Sequence, residues 1–501
     1  MKSYRPYSPE QSFLLPPSPR EWLADGHLAY FVLDLVADLD LGAIEHALQS
    51  RDPRGERPYA PRMMVALLLY GYATGVISSR KLERATYEDV AFRVLAAGEH
   101  PHFTSINGFR DRHRVALAGL FDQLLHECMS AGLVKLGHVA IDGTKMKANA
   151  SKHKAMSFER MNQTEKKLTS EIEAYFDLAK KIDAEEDERY GVGEQAHDLP
   201  AELRRREDRL AKIREVRAAL KKETARARAT ELVAQADQLR LDAAQPTTTP
   251  KKQGEFATLA AQRDQQAGEL FDRHDDDDDE PPPPSVDDDL PRHTPPKRPD
   301  GTPKPNAQRN FTDEDSRIMM RDGAFLQAYN GQIAVDESPH QIIVAAALSN
   351  QPPDVEYFRP MLERAVANCG APPDRVTADS GYFSADNVRA AERLGAEPFI
   401  SVGKHKNDGE LETRLVAHRA TPDRVAMAAL LATERGRAAY ARRKATVEPV
   451  FGQIRTCQSY QHVSFRGLLK NRLEWLLVCA THNLRKLWRA ATQPIAIPAA
   501  A

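Results

Sequence analysis

Apolar and polar positions fall into distinct regimes along the 501-residue chain. Up to about residue 135 the apolar residues keep helical spacing. Pro61-Arg-Met-Met-Val-Ala-Leu-Leu-Leu-Tyr-Gly-Tyr72 predicts an apolar helix with proline near its start. A second helix begins at Ser79, a plausible N-cap, and a third follows Thr104, carrying Arg110, Arg112, His113 and Arg114. Short helices ending in a basic one fit a helix-turn-helix reader of DNA, and equally a helical bundle with a wet basic face. The period then shortens. Gly137-His-Val-Ala-Ile-Asp142 is a β-rich run ending in an acid. From about 157 to 242 helical spacing returns: Leu168, Ile172, Tyr175, Ala179 and Ile182, then, after a break at Tyr190-Gly-Val-Gly193 and Pro200, Leu203, Leu210, Ile213, Val216 and Leu220. This predicts an antiparallel coiled-coil hairpin or dimerising arm, or else a solvated spur.

Beyond residue 310 the pattern alternates between strand and helix. Strands are predicted at 324–335, 341–348, 375–379 and 397–402, with helices at 355–367 and 384–394, the latter capped by Ser384. With the run ending at Asp142, this is the element order of a ribonuclease-H-like α/β sheet interrupted by a long insertion. The expected organisation is a helical DNA-binding unit over 1–135 and a catalytic domain split between 136–151 and 311–490. A helical coiled-coil insertion would occupy 152–244, a disordered acidic and proline-rich linker 245–310, and a tail 491–501.

Charge refines this picture. The net charge of −2 argues at first sight against a basic nucleic-acid binder. Yet residues 401–501 carry 17 basic and 7 acidic side chains, while 272–300 hold 11 acidic against 4 basic ones around Asp275 to Glu280 and Pro281 to Pro284. The near-neutral total therefore sums a basic end and an acidic insert. The four cysteines lie far apart without a CxxC pair, which excludes a zinc site built on paired cysteines and argues against a disulfide scaffold. With neither a signal-like start nor an apolar run long enough to span a bilayer, a soluble, reducing compartment and no membrane partner are expected.

Two acids carry the candidate chemistry. Asp142 and Asp379 each close a predicted strand, 237 positions apart; without residues 152–309 the separation falls to 79, easily spanned within one sheet. Carboxylates brought together resist joint ionisation unless a cation neutralises them, and hard oxygen ligands favour Mg²⁺ or Mn²⁺. Two such ions suit in-line attack on a phosphodiester. Glu448 offers a third acid beside a helical apolar face of Val447, Val450, Phe451 and Ile454, with Arg455 two turns on. His102, His113, His138 and His153 show no metal-ligand spacing. Lys145 and Lys147 could touch DNA or remain solvated, Trp475 and Trp488 read as core, and Asp313, Glu314 and Asp315 read as a solvated turn.

Ile-Asp142-Gly-Thr-Lys, Ala-Asp379-Ser-Gly-Tyr and Thr-Val-Glu448-Pro-Val-Phe-Gly-Gln-Ile-Arg455 resemble the DDE motifs of bacterial insertion-sequence transposases, in the group with a Tyr/Arg/Glu/Lys signature. Residues 61–114 resemble the N-terminal domain that accompanies that core, and Asn310 to Arg317 and Tyr329-Asn-Gly-Gln332 fit the same pattern. The resemblance implies that Asp142, Asp379 and Glu448 hold two Mg²⁺ or Mn²⁺ ions and that Tyr440, Arg443 and Arg455 contact DNA phosphate. Two departures stand out. Arg455 occupies the place of a lysine, and Arg443 leaves four residues before Glu448 where the family leaves three, the spacing Lys444 keeps. Arg110, Arg112 and Arg114 are candidate DNA contacts of the N-terminal region. The implied function is cleavage and strand transfer at the ends of the chain's own element and in target DNA, by a homodimer in a bacterial, nucleoid-associated cytoplasmic setting. Alternatives are an inactive end-binding, dimerising remnant and a two-metal nuclease without strand transfer.

Overall fold

The computed structural model describes residues 18–49, 57–190, 201–272, 290–403 and 421–492. Residues 1–17, the predicted break at 191–200, part of the acidic linker (273–289) and the tail from 493 lie outside them.

The N-terminal region is helical, as its spacing predicts: α1 (Leu28–Asp38), α2 (Gly42–Gln49), α3 (Pro61–Thr74), α4 (Ser79–Glu88), α5 (Val90–Leu95), α6 (Phe103–Arg112), α7 (Arg114–Ala118) and α8 (Leu120–Ser130). Pro61 occupies the first turn of α3, where its missing N–H costs nothing, and Gly75 ends that helix in the left-handed conformation at φ 84°. Two predicted caps shift by a residue or two. Ser79 is the first residue of α4 rather than its cap, and α6 is capped by the His102 ring, which accepts from Thr104 N.

The sheet begins with β1 (Val139–Lys147), which runs five residues past Asp142 instead of ending there. β2 (Ala155–Ser157) then leads into the insertion, made of α9 (Phe158–Tyr190), α10 (Ala201–Ala243) and α11 (Pro250–Asp272). The first two form an antiparallel hairpin. Met161, Leu168, Leu210, Ile213 and Val216 share a buried cluster, while Arg214 and Arg217 meet Glu165 and Arg206 meets Glu171. Leu168, Leu210, Ile213, Val216 and Leu220 are thus buried as their spacing requires; the side chains of Tyr175, Ala179 and Ile182 lie outside the description. α11 corrects the expected linker over 245–310. Pro250 starts a helix whose Ala267, with Leu270 and Phe271, packs on Ala229 and Leu232 of α10. The acidic run beyond it lowers the average hydropathy of that stretch and hides an ordinary amphipathic helix.

β3 (Gln308–Asn310) pairs antiparallel with β2 and closes the base of the insertion. The main sheet resumes with β4 (Arg317–Arg321), β5 (Ala324–Asp336) and β6 (Ile343–Ser349), then α12 (Phe358–Cys369), β7 (Arg375–Ala378), α13 (Ala385–Arg393) and β8 (Glu397–Ile400). Ser384 caps α13 as expected, accepting from Asn387 N at 3.1 Å. The long β5 carries β4 and β6 along one edge and β1 along the other; β7 and β8 follow parallel to β1. The insertion therefore leaves the sheet after its central strand, and the chain returns to pair with that same strand.

Three helices complete the fold: α14 (Pro422–Ala432), α15 (Glu434–Thr456) and α16 (Leu468–Thr492). α15 crosses β1, β7 and β8, and α16 is wedged between β6 and the helices α3, α7 and α8. One buried cluster runs from Leu28 of α1 through the sheet to Leu487 of α16. Polar ties reinforce it: the buried Glu474 accepts from Tyr72 Oη at 3.0 Å, Tyr460 Oη at 2.9 Å and Ser464 N at 2.8 Å. Trp475 is fully buried and donates to Gln332 O, as its core reading requires. Asp313 is also buried, which corrects the solvated-turn reading; it accepts from Tyr329 Oη at 2.7 Å and Gly467 N at 3.1 Å, pinning the start of α16. Among the described residues no helix is long and apolar enough to cross a membrane.

Candidate active site

Side chains alternate across a strand, so β1 presents Ala140, Asp142, Thr144 and Met146 on one face. α15 lies over that face. Arg443 Nη1 donates to Asp142 Oδ2 at 2.9 Å, and Arg455 Nη2 to Thr144 Oγ1 at 2.6 Å. Asp142 Oδ1 also accepts from Gly143 N at 2.9 Å. β7 runs beside β1 with Val139 opposite Val376 and Ala140 opposite Thr377. Continued two residues in each chain, that register sets Asp142 opposite Asp379. Asp379 directly follows β7 and caps the turn Ser380–Tyr382, accepting from Gly381 N at 2.8 Å.

The electrostatics reflect this convergence. Burial pushes Asp142 up to about 6 despite the opposing effect of Arg443, and the Asp379 charge pushes the same way as burial. Burial works to lower Arg443, but Asp142, Tyr440 and Asp379 outweigh it and hold the guanidinium above its ordinary value. The Arg443 guanidinium also lies 5.8 Å from the Tyr440 ring centre. Of the two cations that could take the signature place, Arg443 reaches the acids while Lys444 is exposed. Glu448 is exposed on α15, on the side of the helix it shares with Arg455.

Pro449 sits inside α15 and removes the N–H that would bond Ala445 O. Gln341 supplies the missing donor from its side-chain amide at 2.8 Å. Gln341 adopts φ 54°, unusual outside glycine, and its own carbonyl accepts from His482. The helix that carries Arg443, Glu448 and Arg455 is thus stapled to the β5–β6 turn.

The opposite face of β1 carries a network that strand-end reasoning missed. Asp354 Oδ1 accepts from Lys145 Nζ at 2.8 Å, Asn330 Nδ2 at 2.7 Å and Gln332 Nε2 at 2.9 Å. Gln332 in turn accepts from the buried Tyr382 Oη. Burial, and the charges of Asp354, Asp142 and Asp379, push the Tyr382 phenol far above its ordinary value, so it stays a neutral donor. Gly143 is needed here, because a Cβ would collide with the Gln332 amide and press on Tyr382 Oη. Asp354 follows Pro352 and Pro353 in a turn with no periodicity to mark it. Tyr329-Asn-Gly-Gln332 and Ser380-Gly-Tyr382 were visible as motifs, but not as parts of one network.

The remaining candidates separate. Arg110 is buried and corrects its reading as a surface contact, donating to Tyr72 Oη, Ile77 O and Asn107 Oδ1. Arg112 is exposed and Arg114 half-buried. His138 is buried between Glu337 and Thr377, His113 is buried, and His102 and His153 are exposed. Lys145 is bound to Asp354, whereas Lys147 is exposed. Among the described residues no three His, Cys, Asp or Glu side chains are grouped closely enough to hold a metal ion. The site as it stands is an aspartate pair, part-buried, facing one guanidinium.

Comparison with known families agrees with these motifs. The family model described as "Transposase DDE domain" matches residues 293–484, and the one described as "Transposase domain (DUF772)" matches residues 18–112. The first match begins after the insertion and so omits β1, the strand that bears Asp142 and completes the sheet. No curated protein and no solved structure matches the chain. Transposition-related nuclease chemistry, with DNA as partner, goes with these domains. Together the two matches span more than half of the chain, which belongs to the insertion-sequence DDE transposases.

Proposed function

We propose that the protein binds the ends of its own insertion sequence, cuts the DNA there in a metal-dependent reaction and transfers the freed end to target DNA. The observation that carries this reading is the convergence of Asp142 and Asp379 on adjacent parallel strands, with Arg443 against them. The strand order β6-β5-β1-β7-β8, antiparallel for the first three and parallel thereafter, supports a ribonuclease-H-like core.

The donor chemistry fits a divalent cation. Two carboxylates, one of them reluctant to ionise in a buried setting, gain most from a hard cation with oxygen preference. Asp142 and Asp379 would hold it, with Glu448 supplied from α15. When bound, two Mg²⁺ or Mn²⁺ ions would activate the attacking oxygen and stabilise the leaving one. The chain's own part is positional. Arg443 holds the Asp142 carboxylate in place, Arg455 and Tyr440 line the approach of the phosphate backbone, and Tyr382 keeps the turn after Asp379 fixed through Gln332. In cleavage, a water oxygen bonds to phosphorus while the bond to the 3′-oxygen breaks, and that oxygen leaves with a proton as a 3′-hydroxyl. In transfer, this hydroxyl bonds to a target phosphorus and releases a new 3′-hydroxyl, with one P–O bond made and one broken.

The test uses a duplex carrying the inverted repeats that flank the reading frame. Asp142→Asn, Asp379→Asn and Glu448→Gln are each expected to retain end binding and to lose Mg²⁺-dependent cleavage by at least about a thousandfold. Full cleavage by any of them overturns its assignment. Cutting without joined products from a pre-cut end would establish a nuclease, and binding without cutting by the unaltered protein an end-binding remnant.

A further inference from the structure

Beyond the aspartate pair, β1 leads directly into a groove of about 760 Å³ whose walls come from the segment after β1, the start of β5 and the loop before α16. Lys147, Lys152, Lys154, His462 and Arg466 line it, and all five are exposed. None of them makes an ion pair with a carboxylate among the described residues. The contrast with the neighbouring cleft along α10 is sharp. There Arg309 on the wall meets Glu223 at 2.8 Å. The backbone that carries the bare cations is held firmly. Val463 N donates to Lys147 O at 3.0 Å, Asn149 Nδ2 to Ser464 O at 3.1 Å, Asn310 Nδ2 to Ser151 O at 2.8 Å, and Phe311 N to Lys154 O at 3.0 Å. Phe325 stands on the same wall, 64% exposed, where the fold gives its ring no cover.

We propose that this groove is the track of one DNA strand beside the active site, with its phosphates on Lys147, Lys152, Lys154 and Arg466 and a base or sugar face against Phe325. Like charges gathered without acids repel one another and are relieved by a polyanion, and an uncovered aromatic ring beside them is a stacking surface for any base. The inference deepens the DNA-processing reading by assigning a path to the strand, and it rests on that reading.

The test uses the full chain, first with a mixed-sequence duplex of about 40 base pairs. Lys152→Gln/Lys154→Gln/Arg466→Gln is expected to make the dependence of log K on log salt shallower by about 2 to 3, since each lost phosphate contact removes about 0.9. Lys251→Gln/Lys252→Gln, in the first turn of α11, serves as the control and is expected to leave the slope unchanged. Phe325→Leu, which keeps an apolar side chain but no stacking face, is expected to bind a single-stranded oligonucleotide about 5- to 150-fold more weakly than the unaltered protein. An unaltered slope in the triple variant, an equal loss in the control, or full single-strand affinity in Phe325→Leu overturns the proposal. The function and the groove fail separately: cleavage by Asp142→Asn would remove the catalytic assignment and leave the slopes standing, whereas unchanged slopes would remove the groove and leave the catalytic assignment untouched.

Discussion

At the scale of the residue, Asp142 sits in surroundings that disfavour its charge. Its pKa is raised to about 6 from 3.8, so its contribution to stability is present below about pH 4 and is lost as pH rises through 6. In metal-free protein, Asp142→Asn should therefore be more stable than the unaltered chain at pH 7.5 by about 2 to 3 kcal/mol and nearly equal to it at pH 4, as read by urea denaturation at the two pH values. Mg²⁺ should stabilise the unaltered chain at pH 7.5 and not the variant. Arg443 gives the complementary case. Arg443→Met leaves the carboxylate unpaired and should cost about 3 kcal/mol at pH 8, with much of the loss recovered at pH 5 where Asp142 takes up a proton. The aspartate pair was legible in the sequence because each acid follows an apolar run of strand length, and because removing the insertion brings the two within one sheet. Asp354 was not, since a turn with two prolines carries no periodic signal and its partners Lys145, Asn330 and Gln332 lie on other strands. Arg110 misled for a related reason: a helix with several cations reads as wet, and only packing reveals that one of them points inward to Tyr72.

At the scale of the element, α15 depends on a repair made from outside the helix. Gln341→Ala should leave the exposed Ala445 O to water and cost about 0.5 to 1 kcal/mol. In a Pro449→Ala background the helix regains its own donor, so the same substitution should cost about 0.5 kcal/mol less; a double-mutant cycle in denaturant measures the difference. Additive losses would show that the Gln341 amide does not stand in for the missing backbone N–H. The other elements divide by the length of their signal. α3, β7 and α13 were legible because apolar runs and end residues agree. α11 was obscured by the acidic run that follows it, although Pro250 and the apolar positions Ala267, Leu270 and Phe271 carry the helical signal. The end of β1 was misplaced because Gly143, Thr144 and Lys145 break the apolar run, while the ladder to β5 continues through Lys147.

At the scale of the whole molecule, the N-terminal helices and the catalytic sheet share one core, joined through α16 and the buried Glu474. Residues 1–135 expressed alone should therefore expose the faces of α3 and α8 that α16 covers, and should show little protection in hydrogen exchange compared with the same residues in the full chain. A well-dispersed, protected spectrum from that fragment would show that the shared core is dispensable. The coarse architecture was legible because the spacing changes period at the right places. The shared core was not, because contacts between residues some 400 positions apart leave no trace in local spacing.

The insertion between β1 and β5 also sets a timetable. β1 leaves the ribosome about 180 residues before the first residue of the strand that pairs with it, a delay of roughly 10 to 35 s at ordinary rates of synthesis. During that interval the antiparallel hairpin of α9 and α10 can form from local contacts, and the later pairing of β2 with β3 draws the two ends of the detour together, shortening the loop that must close. A nascent chain stalled before residue 324 carries Asp142 on a strand without its β5 and β7 neighbours, so Asp142 and Asp379 can be brought together only after those later strands have been made.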